Sequence, residues 1–278
     1  MEVFDVAERL QNPPPPVTCW IEPFILPKGS IMLFGGPSKA GKSFVALEFA
    51  RALVTGDNPM YYQKFAVPEK ARVLVWEQEL GESTFFKRCG DTLQNHRISE
   101  YGDRFKALCK APELSLSEKG GAQKLNDLLE EHQTNVLIID PIGKAQTYDE
   151  NDAGQIGELF NKLQLITKAG ATRGLSIILT HHFKKLPSGQ FARDYDLSSP
   201  DNFRGSSRFY SDPDTLLTML RTDDVYERVP GKTEPLKGWL CKTQWKMRHG
   251  QEPDGMMIKI MPEGEKIVTV IKRGIIPV

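Results

Sequence analysis

Residues 31–43 read IMLFGGPSKAGKS, and residues 44–54 continue as FVALEFARALV. An apolar run, a glycine-containing turn and an amphipathic stretch predict a strand over 31–35, a tight loop and a helix over 42–55. Within the turn, Gly36 to Ser43 (GPSKAGKS) meet the full spacing G-x-x-x-x-G-K-[ST]. Gly36 and Gly41 let the backbone turn its N–H groups inward, and the helix that starts near Gly41 aims its positive end at the same point. Lys42 supplies a point charge for β- and γ-phosphate oxygens, and the Ser43 hydroxyl is placed to ligate Mg²⁺. Gly36, Pro37, Ser38, Lys39, Ala40, Gly41, Lys42, Ser43 and the adjoining Phe44 are therefore the expected contacts of a nucleoside triphosphate.

Outward from this loop, Val/Ile/Leu-rich runs alternate with helical stretches. Strands are expected at 31–35, 72–76, 104–109, 135–139 and 176–180, with helices near 42–55, 82–95, 118–132 and 152–171. Near-continuous apolar strands separated by helices predict an α/β fold whose mostly parallel sheet is covered on both faces. Beyond residue 214 the runs DTLLTML, GWLCKTQWK, GMMIKIM and KIVTVIK are bounded by Gly, Pro and Asp and read as antiparallel strands extending that sheet. At the other end, VFDVAERLQ (3–11) has a short helical pattern that stops at Pro13–Pro16, an extended spacer. Residues 1–28 thus read as a helical arm with a Pro-rich spacer, and 29–278 as one domain.

The chain has 278 residues, 40% of them hydrophobic, enough for one large core with appendages. Lys+Arg and Asp+Glu number 36 each, so no global field draws the chain to nucleic acid; any such contact must come from a local patch or from converging subunits. Cys19, Cys89, Cys109 and Cys241 lack metal-ligand spacing and read as reduced thiols, with no structural zinc. No basic segment followed by an apolar one opens the chain, and no run has the length of a membrane span, so a cytoplasmic protein without membrane contact is expected.

Three further positions bear chemistry. NVLIID (135–140) ends a buried strand in Asp140, where a metal-side carboxylate belongs in such a fold. RVLVWEQEL (72–80) offers Glu77 and Glu79 as general bases for an attacking water, and spacing alone does not choose between them. Thr180, His181 and His182 end the next strand, close to where phosphates would lie.

In order, GPSKAGKS, VLVWEQEL, VLIID, SIILTHH, FRGSSRF and KTQWKMRHG resemble the RecA-like P-loop ATPases of the DnaB type, and most closely the small plasmid and phage RepA-type hexameric helicases. That resemblance implies a RecA-like core using ATP and Mg²⁺, with Lys42, Glu79, Asp140, His181, Lys246 and Arg248 in catalytic roles. Ser43 and Asp140 would hold the metal, Glu79 would be the base with Glu77 its alternate, and His181 would sense the γ-phosphate. Lys246-Met247-Arg248 resembles the K-x-R motif that reaches a neighbour's nucleotide, which implies a homo-oligomer, a hexamer in this family. Arg204, in FRGSSRF, competes for an interface or DNA role. The polar segment 183–203 stands where the family has a DNA-binding loop, with Lys184, Lys185 and Arg193 as expected contacts of single-stranded DNA. A primase, initiator or single-strand-binding protein would be a separate chain. A recombination or annealing accessory ATPase, and a regulatory ATPase that does not translocate, share the same core.

Overall fold

The computed structural model of the chain describes residues 3–93, 96–185, 196–228, 233–264 and 266–273. A short helix, α1 (Val6–Gln11), is capped by Asp5, whose carboxylate accepts from Glu8 N at 3.0 Å, and none of its residues is buried. After the prolines, β1 (Cys19–Ile21) and β2 (Leu26–Pro27) form a small antiparallel pair. The core then runs β3 (Ile31–Gly36), α2 (Lys42–Thr55), β4 (Val73–Glu77), α3 (Glu82–Leu93), α4 (Ile98–Tyr101) and β5 (Phe105–Cys109). It continues with α5 (Gly121–Glu131), β6 (Val136–Asp140), α6 (Ala153–Ala169), β7 (Ser176–His182) and α7 (Arg208–Ser211). Four strands close the described chain: β8 (Thr215–Glu227), β9 (Leu236–Met247), β10 (Met256–Ile260) and β11 (Val268–Arg273).

Nine strands form one sheet in the order β11-β10-β9-β8-β3-β7-β6-β4-β5. From β8 to β5 all neighbours are parallel, and from β8 to β11 all are antiparallel, so β8 belongs to both halves. The α/β class and the antiparallel extension agree with the sequence pattern. Two of the later strands are longer than their apolar runs suggest. β8 and β9 span 13 and 12 residues because their pairing continues past Arg221, where side chains are exposed and hydropathy no longer marks the strand.

Alternation along each parallel strand feeds two cores. Met32, Phe34, Val136 and Ile138 face α2, while Leu33, Leu137, Ile139 and Leu179 face α5 and α6. Both faces are buried, so the strands read as unbroken apolar runs. Phe34 and Phe49 meet edge to face with centroids 5.1 Å apart, locking α2 onto β3. The amphipathic expectation for α2 fails on one face, where Glu48 and Arg51 are each only 1% exposed. Their ion pair at 2.7 Å is completed by Asp57 at 2.6 Å from Arg51 and by Met60 N, which donates to Glu48 at 2.9 Å. A buried charge persists only when paired and hydrogen-bonded in this way. Among the described residues, no helix is long and apolar enough to cross a membrane.

Candidate active site

Gly36, Glu77, Asp140 and His182 are each the last residue of a strand, and their strands stand consecutively in the sheet as β3-β7-β6-β4. Register brings Gly36 beside His182 and Glu77 beside Asp140. The carboxyl ends of β3, β7, β6 and β4 therefore converge on one edge, where open α/β sheets bind ligands.

The loop between β3 and α2 requires its glycines. A Cβ on Gly36 would lie 2.4 Å from the Met219 carbonyl oxygen, and Gly41 adopts φ 100° with Ile260 Cδ1 2.4 Å from where a Cβ would stand. α2 starts at Lys42, so its first N–H groups open toward the loop. Lys42 is 5% exposed; its Nζ donates to the carbonyls of Gly36 (2.8 Å) and Pro37 (2.9 Å) and lies 3.1 Å from His182 Nδ1. Burial lowers this ammonium to about 8, with Asp140 and Glu79 pulling the other way.

Asp140 is buried and accepts a hydrogen bond from Thr180 Oγ1 at 2.5 Å and another from the Ser43 side chain. Burial raises its pKa against those bonds and against Lys42. Ser43 and Asp140 offer hard oxygen ligands, and no group of three His, Cys, Asp or Glu side chains suited to a metal occurs among the described residues. That donor set fits Mg²⁺ shared with phosphates rather than a protein-only cage.

The two glutamates differ. Glu77 is 3% exposed, and its Oε1 accepts from Glu79 N (2.6 Å) and Leu80 N (2.8 Å), so it braces the turn after β4. Burial, then the Asp140 charge, raises its pKa. Glu79 is exposed at the mouth of the cleft, 3.5 Å from Lys144 Nζ.

The two histidines also part company, because β7 extends through both and successive side chains point to opposite faces. His182 turns to Lys42, and burial with that charge lowers it to about 4. His181 turns away: its Nε2–H donates to the Arg204 carbonyl at 2.8 Å, its ring stacks on Phe209 at 3.8 Å between centroids, and burial lowers it to about 3. Both imidazoles are neutral near pH 7. The residue next to the loop lysine is thus His182, one of the three strand-end residues expected near the phosphates, whereas the family resemblance gave the sensing role to His181; reading the strand two residues further would have placed His182 level with Gly36.

These groups line a cleft of about 410 Å³ that includes Ser38, Lys42, Ser43, Glu79, Asp140 and His182. A second groove of about 1040 Å³ shares Pro37 with the phosphate loop and Ser38, Glu79 and His182 with the cleft, and it carries Lys144, Lys184, Lys185 and Arg204. Arg204 Nε pairs with Glu150 at 3.0 Å, and Ser206 N donates to the Glu150 carbonyl at 2.6 Å, fixing the FRGSS segment. Arg193 lies outside the described residues. Lys246 and Arg248 do not join the cleft. They stand at the far end of β9, where Met247 pairs with Thr215 and Thr215 with Met32. Lys246 Nζ donates to the Tyr210 carbonyl at 3.0 Å, and Arg248 Nη2 to the Ser211 carbonyl at 2.6 Å.

The cleft has a second wall of different character, made by Phe44, Leu80, Arg88, Arg221 and Trp239. Of these only Phe44 was expected from the sequence; the others carry no motif and are brought together by folding.

A family model described as an AAA domain matches residues 1–188. No curated protein matches the chain. The matched stretch holds the phosphate loop, both glutamates, Asp140 and both histidines, and ends before Arg204, Arg221, Trp239, Lys246 and Arg248.

Proposed function

The chain belongs to the AAA domain family of nucleotide-dependent ATPases, and from that premise we propose that it is an ATP-driven motor on single-stranded DNA, a RepA-type helicase working as a hexameric ring. The observation that carries this reading is the continuity of the two cavities. Ser38, Glu79 and His182 line both the phosphate cleft and the cationic groove, so a change at the γ-phosphate reaches the groove through residues common to both.

Hydrolysis follows from the placement of groups. Lys42 leaves the loop carbonyls for the β/γ oxygens, and neutral His182 beside it is positioned to register the γ-phosphate. Water attacks the γ-phosphorus in line, the bond to the bridging oxygen breaks, and Glu79 takes the water proton, leaving ADP and phosphate. Glu79 suits this role better than Glu77, whose carboxylate is engaged by two backbone N–H groups. Ser43 and Asp140 would hold Mg²⁺, which would supply neutralisation of phosphate charge. Lys246 and Arg248, remote from their own cleft, would act on the nucleotide of a neighbouring subunit, which the ring requires. In the groove, Lys184, Lys185 and Arg204 repeat around the ring and hold a strand without net positive charge on any one chain.

Steady-state hydrolysis with and without single-stranded DNA, followed by unwinding of a forked duplex, tests the proposal. Stimulated hydrolysis without unwinding would favour a recombination or annealing ATPase. Hydrolysis indifferent to DNA would leave a regulatory ATPase, the reading that balanced charge supports.

A further inference from the structure

Glu79, the base assigned to the attacking water, is held by a cation of the other cavity. Its Oε1 lies 3.5 Å from Lys144 Nζ. Lys144 lines the cationic groove but not the phosphate cleft, whereas Glu79 lines both. The two backbones are fixed. Glu77 Oε1 accepts from the N–H groups of Glu79 and Leu80. Lys144 N donates to the Pro141 carbonyl at 3.2 Å in a short turn that has Ile142 and Ala145 fully buried, and Leu116 N donates to the Ala145 carbonyl at 2.9 Å. Gly143 seats that turn on Glu150, since a Cβ would lie 2.5 Å from Glu150 Oε1. The freedom that remains is in the side chains of Glu79 and Lys144, both about half exposed.

Among the described residues, the groove lining has four cationic side chains, Lys144, Lys184, Lys185 and Arg204, against two acids, Glu79 and Glu150. Each acid is held by one of those cations, Glu79 by Lys144 and Glu150 by Arg204 at 3.0 Å. An anion that enters the groove therefore competes with Glu79 for Lys144. An ion pair this exposed favours its own formation by only about two- to fivefold, so a strand phosphate displaces the carboxylate readily. The carboxylate already acts on the cleft: burial lowers the pKa of both Lys42 and His182, and the Glu79 charge opposes that lowering in each.

We propose that Lys144 is a positioning residue for Glu79, holding the base toward an empty groove and giving it up to the cleft when a phosphate of single-stranded DNA takes the ammonium. The inference rests on the reading of Glu79 as the base and of the groove as the strand site. One ion pair then links strand binding to hydrolysis, and the backbone on either side of it stays in place.

Steady-state kcat and KM for ATP, measured on the full chain without DNA and with saturating oligothymidylate, decide the matter. Lys144→Ala should raise kcat without DNA by about two- to fivefold at unchanged KM, and the stimulation by DNA should shrink by the same factor. Lys144→Arg, which keeps the charge, should return both values to those of the wild type. A damaged fold would lower kcat or raise KM instead, so the direction of the change separates positioning from architecture. A Lys144→Ala protein whose kcat without DNA is unchanged or lowered overturns the proposal, as does Lys144→Arg behaving like Lys144→Ala. Glu79→Gln and the wild type tell this failure from that of the underlying reading. If Glu79→Gln still turns over, the base has been misassigned and the role of Lys144 falls with it. If oligothymidylate does not stimulate the wild type, the groove is not the strand site and the release step falls. An inactive Glu79→Gln and a stimulated wild type, with Lys144→Ala indistinguishable from it, sink the ion pair alone.

Discussion

In the parallel half of the sheet, the strands contribute to the cleft from their carboxyl ends, through Gly36, Glu77, Asp140 and His182. In the antiparallel half, a single strand serves both ends of the molecule. β9 packs Trp239 and Cys241 against the Ala40 carbonyl of the phosphate loop and, nine residues on, holds Arg248 at the opposite edge. At about 3.4 Å per residue that is about 30 Å. Parallel strands run the same way, so their active ends collect on one edge; an added antiparallel strand can touch a bound nucleotide and present a cation elsewhere. The difference divides the geometry: the parallel half gathers the candidate site at one edge, and the antiparallel half runs from that site to the opposite edge.

The strongest way to break this comparison is Arg248→Ala. If the antiparallel half serves a neighbour's nucleotide, steady-state hydrolysis falls by about 10³–10⁵-fold while ATP binding is retained. Mixing this variant with Lys42→Ala subunits should restore activity at mixed interfaces. Full activity of Arg248→Ala would reduce β9 to architecture. Next in size, Glu79→Gln should cost about 10²–10⁴-fold in turnover with nucleotide still bound. Glu77→Gln disturbs a turn brace, so it should lower stability more than chemistry; the reverse result would exchange the two roles.

Within the parallel half, packing can be separated from catalysis. Phe49 is fully buried against Phe34, and Phe49→Ala should lower unfolding stability by about 3–5 kcal/mol in denaturant titrations. An effect below about 1 kcal/mol would mean that α2 is not locked to β3 as the packing indicates.

The histidines give a pH test. His181 and His182 are held near about 3 and about 4 in the folded chain, below the ordinary 6.5. Between these values the unfolded chain binds more protons than the folded one, so stability rises with pH there and is lost as pH falls from about 6.5 toward 4. His181→Gln, which keeps a donor for the Arg204 carbonyl, should flatten that dependence. An unchanged slope would mean that protonation of His181 does not drive acid unfolding.

How much of this could be read from residues alone followed the same division. Parallel strands buried on both faces announce themselves as apolar runs, so β3, β4, β6 and β7 were legible, and the spacing GPSKAGKS marked the loop. The pairing of β8 and β9 beyond Arg221 was not, because exposed strand residues carry no hydropathy signal. Arg88, Arg221 and Trp239 form their wall only after distant segments meet, and no local pattern marks them. Which histidine faces the loop lysine turned on where β7 ends, and element boundaries are where sequence patterns say least. Glu77 and Glu79 were separated by a turn whose N–H groups bind one carboxylate and leave the other at the cleft mouth.

The smallest expected effect concerns the groove. Lys184 and Lys185 follow β7 after Phe183 and line the cavity shared with Glu79 and His182. If each neutralises one phosphate of a single strand, replacing both by Ala should lower the slope of log binding constant against log salt by about 1.4, since a single-strand contact releases about 0.7 of a counterion. Basal hydrolysis without DNA should persist, because neither lysine borders the phosphate cleft. A double variant whose affinity falls equally at every salt concentration would have lost shape rather than charge. One that binds DNA as wild type does would move the strand out of this groove and leave the parallel half as a nucleotide site alone.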